Sequence, residues 1–167
     1  MSGHPVTARA LVLTISDSAE AGKRQDLSGP AAKGILEEIG FDVAPVEVLP
    51  DERPRIESRL RLASEEGFQL VVTSGGTGLS PRDVTPEATE AVIDKRVPGL
   101  AEMMRQESLK ITPRAALSRA VCGIRRTTLI INLPGSVKGV RECLAAVRPV
   151  LPHAVETLRQ SSIGCGE

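Results

Sequence analysis

A chain of 167 residues is near the usual size of one domain and can bury roughly 70% of the surface its unfolded form exposes. Its 21 Lys and Arg balance 21 Asp and Glu, so no overall field draws it to nucleic acid or to an anionic membrane. Phe41 and Phe68 are its only aromatic residues, which removes the stacking platforms of single-strand binders and argues against a nucleic-acid partner.

Residues 10–15 form a continuous apolar run rich in β-branched side chains, as in a strand buried on both faces, and the run stops at Ser16-Asp17-Ser18. Ser28 and Pro30 read as the N-cap and first-turn proline of a helix whose Ala32, Ile35, Leu36 and Ile39 share a face before Gly40 ends it. Residues 43–49 read as a second strand, Asp51 and Glu52 as a loop, and 54–66 as a helix with Ile56, Leu60 and Ala63 on one face and Gly67 at its end. A third strand over 70–73 runs into Ser74-Gly75-Gly76-Thr77-Gly78, and Thr85-Pro86-Glu87 has the pattern of a capped helix start. Pro98-Gly99 breaks the next helical stretch, which resumes through Leu100, Met103 and Met104 to Leu109.

Residues 120–124 and 127–133 are strand-like and joined by Arg125 and Arg126, so a hairpin adds an antiparallel edge. After Pro134-Gly135-Ser136 comes a helix with Val140, Cys143, Leu144 and Val147 on one stripe, interrupted at Pro149. Strands alternating with helices predict an α/β fold with a mostly parallel sheet and a small antiparallel hairpin edge. No repeat or linker divides the chain, so one domain over 1–167 is expected, with a frayed tail over 1–7. Cys122, Cys143 and Cys165 are odd in number and lack ligand spacing, which argues for reduced thiols in cytosol over disulfides or zinc. No run reaches the roughly eighteen apolar residues of a membrane span and no signal-like core opens the chain, so a soluble cytoplasmic protein is expected.

In open α/β sheets, ligands bind beyond the carboxyl ends of the strands. Parallel pairing would gather Ser16 and Asp17, Asp51, the Ser74–Gly78 loop with Asp83, and Asn132 to Ser136 on one rim as a composite site. Three glycines within residues 74–78 let successive backbone N–H groups face one concavity, a phosphate cradle. The segment has neither the lysine and hydroxyl of a P-loop nor a GxGxxG spacing, and an ordinary tight turn is the bland reading. Asp83, five residues on, can hold a divalent ion against cradled phosphates, and Arg82 can pair with phosphate or with a neighbouring carboxylate. Asp51 is a second metal-ligand candidate, its bland reading being a solvated cap before a Pro-initiated helix; Ser16 and Asp17 carry a similar one. His4 and His153 are placed for no histidine-dependent mechanism, and Met103, Met104 and Cys143 read as core.

Residues 74–89, SGGTGLSPRDVTPEAT, resemble the molybdenum cofactor biosynthesis domain family, and within it the molybdopterin adenylyltransferases, which include the G domain of gephyrin. LTISDS at 13–18, LPDE at 49–52, PGLAEMMRQESL at 98–109, LSRAVCGIR at 117–125 and LIINLPGSVKGVRECL at 129–144 extend the resemblance in order. It implies a three-layer αβα fold, a homotrimer, and transfer of AMP from ATP to molybdopterin with Mg²⁺ and release of pyrophosphate, with transient contact to other molybdenum cofactor enzymes. It places catalytic and metal-binding carboxylates at Asp51 and Asp83, the phosphate loop at Ser74, Gly75, Gly76, Thr77 and Gly78, and pocket residues at Asp17, Asn132, Pro134, Gly135 and Ser136. A diverged paralogue without adenylylation activity and a non-catalytic pterin-binding or scaffolding module are the rival readings. The retained RDVTPEAT segment favours the active branch, and the lack of an appended domain argues against a scaffold.

Overall fold

The computed structural model describes residues 7–163, with side chains described through residue 161. His4, Cys165 and the expected frayed tail other than Thr7 lie outside the described residues. Among these residues the strands are β1 (Arg9–Ile15), β2 (Asp42–Val43), β3 (Glu47–Leu49), β4 (Leu70–Ser74), β5 (Lys95–Arg96), β6 (Cys122–Arg125) and β7 (Thr128–Leu133). The helices are α1 (Asp17–Glu20), α2 (Ser28–Ile39), α3 (Arg53–Glu65), α4 (Thr85–Val92), α5 (Pro98–Leu109), α6 (Val137–Val147) and α7 (Leu151–Ile163), with a 3₁₀ turn over Pro113–Leu117. They build one sheet in the order β2-β1-β4-β7-β6-β5, with β3 also pairing β1. Strands β1, β2, β3, β4 and β7 run parallel, β6 pairs antiparallel with β7, and β5 pairs antiparallel with β6.

The continuous apolar runs become intelligible in the packing. Ala10 and Val12 of β1 face the layer of α2, α5, α6 and α7, while Leu11, Leu13 and Ile15 face α3 and α4. The same alternation splits Leu70 and Val72 from Val71, and Leu129, Ile131 and Leu133 from Ile130. A strand with helices on both faces has no solvent side, so apolar residues run on without alternation and the polar ones that remain, among them Thr14, Thr73 and Asn132, are buried; the result is a three-layer αβα fold.

Several local expectations change. The strand expected over 43–49 is two strands, because Pro45 has no N–H to give the ladder. Pairing with β1 shifts by one residue across it, from Ala10 opposite Val43 to Leu13 opposite Glu47, a bulge centred on the proline. Ser28 does not cap α2; its first-turn Gly29 N–H bonds to Asp26 Oδ1 at 3.0 Å, and Ser28 is buried inside the turn. Thr85 does not cap α4 either, since Val84 holds the cap position and no side chain caps that helix. The hairpin is present, but its second strand β7 lies inside the sheet against β4, so the antiparallel edge is β6 with the short β5.

Cys122 on β6 and Cys143 on α6 are buried free thiols. Burial pushes the Cys122 thiol up to about 12 and raises Cys143 as well. Because the thiolate is the reactive form, both are expected to resist iodoacetamide at pH 8 in the native protein and to react promptly in urea. Site-resolved mass spectrometry of the two cysteines checks this.

Candidate active site

Three adjacent parallel strands deliver three loops to the same rim. Strand β1 ends at Ser16 and Asp17, β4 at the glycine loop and β7 at Pro134-Gly135-Ser136. Backbone bonds stitch the ends together, from Ser16 N–H to the Leu49 carbonyl at 2.8 Å and from Gly75 N–H to the Leu133 carbonyl at 3.1 Å. Gly75 has φ +106° and faces backbone so closely that a Cβ there would stand 2.3 Å from the Ile15 carbonyl oxygen. Only glycine satisfies both conditions. The loop is therefore wedged against β1, which fixes its position relative to Asp17.

Asp17 and Asp51 grip each other's backbone. Asp17 N–H donates to Asp51 Oδ2 at 3.0 Å, and Asp51 N–H donates to Asp17 Oδ1 at 2.9 Å. The cap reading of Asp51 is thus set aside: Glu52 holds the α3 cap position, with no side-chain cap bond, and the Asp51 carboxylate turns toward β1. Arg82 resolves to the carboxylate partner, forking Asp17 through Nε at 2.9 Å and Nη2 at 2.8 Å. That hydrogen-bonded guanidinium, helped by the Asp51 N–H, holds the Asp17 carboxyl below the usual range. Asp51 is shifted upward, chiefly by burial, with the charges of Asp17 and Asp83 adding to it against the Asp17 N–H.

Asp83 closes a turn in which its Oδ2 accepts the Ser80 N–H at 3.0 Å and its own N–H bonds to the Ser80 carbonyl at 2.9 Å. Arg119 holds this turn against the glycine loop. Its Nε donates to the Gly78 carbonyl and its Nη2 to the Asp83 carbonyl, each at 2.8 Å, while its backbone N–H bonds to Thr77 at 3.0 Å. Nη1 pairs with Glu87. Sequence reasoning missed Arg119, because a side chain that serves two backbone carbonyls and a carboxylate leaves no spacing signal; only its place in the LSRAVCGIR segment marked it.

The Arg119 hydrogen bond holds the Glu87 carboxyl below the ordinary glutamate range, against the opposing effect of burial. A lowered folded-state pKa contributes stability above the unfolded value, and that stability is lost as pH falls through the folded value. Glu87→Gln is therefore expected to be less stable than wild type at pH 7 by about 0.5–1 kcal/mol, the pair being partly exposed. The difference should narrow as pH falls below the ordinary glutamate value, which is tested by urea midpoints at pH 7 and in acid.

The rim holds two adjoining cavities instead of one undivided pocket. The first, about 320 Å³, is lined by Ser16, Asp51, Ser74, Gly75, Gly76, Asp83, Gly135 and Ser136. The second, about 340 Å³, is lined by Thr77, Gly78, Asn132, Pro134 and Ser136, together with apolar Met104 and Leu117 and the cations Arg105, Arg114 and Lys138. Ser136 borders both and caps α6, its Oγ accepting the Gly139 N–H at 3.0 Å. Asp17 and Arg82 stand outside both linings, as the brace behind Asp51. Two expected contact side chains are spent on the fold. Asn132 is fully buried and bonds Val121, Thr73 and Thr89, and Ser74 Oγ donates to the Pro134 carbonyl at 2.9 Å. Arg105, Arg114, Lys138 and, in the first cavity, Asp26 were assigned no role from the sequence: Arg105 and Lys138 stand within the resembling segments 98–109 and 129–144, while Arg114 and Asp26 are single charges without a motif.

Among the described residues no three His, Cys, Asp or Glu side chains gather as a metal cluster. Of the carboxylates that line the first cavity, Asp26 is taken up by the Thr14 hydroxyl and the Gly29 N–H, and the other two, Asp51 and Asp83, suit an ion that takes one or two carboxylates and fills its remaining positions with water and substrate phosphate, as Mg²⁺ does. The like charges that raise Asp51 are those a cation would offset.

A family profile described as "Probable molybdopterin binding domain" matches residues 11–153. The chain belongs to this family. A molybdopterin adenylyltransferase of Helicobacter pylori is 48% identical over 150 residues, covering 88% of this chain and 85% of the relative. One from Escherichia coli is 44% identical over 145 residues, covering 85% and 74%. The crystal structure of the molybdopterin biosynthesis enzyme MoaB from Thermus thermophilus superposes with a TM-score of 0.86 at 54% identity, over 91% of this chain and 96% of that one. The resemblance seen in separate segments of the sequence therefore extends over 91% of the chain in structure.

Proposed function

We propose that this protein is a molybdopterin adenylyltransferase, which transfers AMP from ATP to the terminal phosphate of molybdopterin and releases pyrophosphate. The observation that carries the reading is the pair of cavities meeting at Ser136, one polar and bearing Asp51, Asp83 and the glycine loop, the other largely apolar with a cationic rim. The first suits a triphosphate and the second a flat heterocycle with an anionic side chain. The shared border is where the α-phosphorus and the pterin phosphate would meet.

A phosphate monoester has a second pKa near ~6 and is largely a dianion at neutral pH. No histidine base is needed to make it a nucleophile. The rate then depends on alignment and on offsetting charge at the α-phosphorus. Backbone N–H groups of the glycine loop would orient the phosphates, and Arg82 would keep Asp17 and thereby Asp51 in place. Asp51 and Asp83 would hold Mg²⁺, which supplies charge neutralisation at the phosphate oxygens. The enzyme is proposed to be cytoplasmic, to act as a homotrimer and to exchange its pterin with other molybdenum cofactor enzymes in transient contacts. No helix among the described residues is long and apolar enough to cross a membrane.

Pyrophosphate release from ATP should require both molybdopterin and Mg²⁺, with adenylyl-molybdopterin as the coupled product. Molybdopterin binding without pyrophosphate release would refute the enzyme reading and leave a binding module. Sedimentation at micromolar concentration should give three copies per particle, and a monomer there would remove the trimer alone.

A further inference from the structure

Helix α4 enters the site at Thr85. Its backbone N–H bonds to the Gly76 carbonyl at 3.2 Å, and its carbonyl accepts the Thr89 hydroxyl at 2.9 Å. The Thr85 side-chain hydroxyl is fully buried and has no hydrogen-bond partner among the described residues. A buried hydroxyl left unbonded costs stability that a methyl of the same shape would not, so a valine here would serve the fold better. Where that hydroxyl points supplies a reason for threonine. A Cβ on Gly76 would stand 2.3 Å from Thr85 Oγ1 and 3.1 Å from Asp51 Oδ1. A donor without an acceptor and a carboxylate oxygen thus face the same point from two sides, and glycine at 76 keeps that point clear. Asp51 Oδ2 already takes the Asp17 N–H, and Oδ1 has no donor among the described residues.

We propose that Thr85 is a positioning residue for Asp51. Its hydroxyl donates to Asp51 Oδ1 through one water lodged beside Gly76 and fixes the plane of the carboxylate. The inference rests on Asp51 acting in adenylyl transfer. With both oxygens tethered, by Asp17 N–H on one and Thr85 on the other, the carboxylate keeps one orientation while charge develops at the phosphates.

Thr85→Val and Thr85→Ser, each alone and in Asp51→Asn, separate this role from a structural one. Because the hydroxyl is proposed to bond only through a water to a partly exposed carboxylate, Thr85→Val should leave the thermal midpoint within about 2 °C of wild type. The same change should lower kcat about 10- to 100-fold, with KM for ATP within about threefold of wild type, because an alignment made for the transition state is lost. Thr85→Ser should recover kcat to within about threefold, and Thr85→Val should cost little further in Asp51→Asn, since both act on one carboxylate. Wild-type kcat in Thr85→Val would overturn the proposal and leave the adenylyltransferase reading standing. A lowered midpoint and lowered kcat shared by Val and Ser would also overturn it, in favour of packing. No pyrophosphate release from wild type would overturn the functional reading, and this inference with it.

Discussion

Asp51→Asn and Asp83→Asn are each expected to cut turnover by roughly 10²- to 10³-fold, the loss that follows removal of one electrostatic stabiliser. Asparagine keeps the side-chain shape and leaves the backbone amides of the site in place, so pterin affinity should change much less. The double variant should fall well short of the product of the single effects, because both carboxylates are proposed to serve one ion. The two positions differ in stability. Asp51 is held above the usual carboxylate range mainly by burial, so its ionised form lowers folding stability above that raised pKa, and neutral asparagine there should leave the thermal midpoint unchanged or higher. Asp83 Oδ2 accepts a local N–H, a bond that the asparagine side-chain oxygen can also accept. Pyrophosphate release, pterin binding and thermal melting measured together distinguish these roles, and near wild-type turnover in both variants would sink the proposed site.

Gly75→Ala is the second large effect. The residue combines φ +106° with a Cβ position 2.3 Å from the Ile15 carbonyl oxygen, an atom of a central strand that cannot swing away. Steric and dihedral penalties together should cost about 2–4 kcal/mol, seen as a thermal midpoint lower by about 5–15 °C. The loop would have to leave β1 to accept the methyl, so ATP affinity should fall with stability. Gly22 supplies the control, having φ +73° and open space around its Cβ position. Gly22→Ala should lose only the dihedral part, about 1 kcal/mol, and bind ATP as wild type does. Equal losses in the two variants would mean that the contact with Ile15 does not hold the loop.

The parts of this molecule that could be read from sequence are those where one physical demand governs a whole segment. Strand β1 and helix α6 are apolar at the positions their burial requires, and the glycine loop announces itself by composition. Asp51 and Asp83 could be nominated because they follow strands that parallel pairing brings together. Other features depend on register. That Asp51 would exchange backbone bonds with Asp17, 34 positions away, follows from the one-residue bulge at Pro45, and no local pattern encodes it. Strand β5 is two exposed residues, Lys95 and Arg96, with too little length to show a period. The caps of α2 and α4 were misread because serine and threonine beside a proline fit a cap equally well when they are instead turned into the core. Asn132 looks like a binding residue in its loop sequence, yet its position at the buried end of β7 commits its amide to the fold.

The antiparallel entry into β7 has an architectural corollary. Because β6 runs opposite to β7, the tight turn at Arg126, where φ is +53°, lies at the end of the sheet away from the cavities. The six residues of β7 separate that turn from Pro134 by about 20 Å at the usual strand rise. A foreign module spliced into the turn would therefore project from the side where no substrate enters. The hairpin is a natural attachment point for tethering this domain to a partner, or to a support, with its chemistry left facing outward.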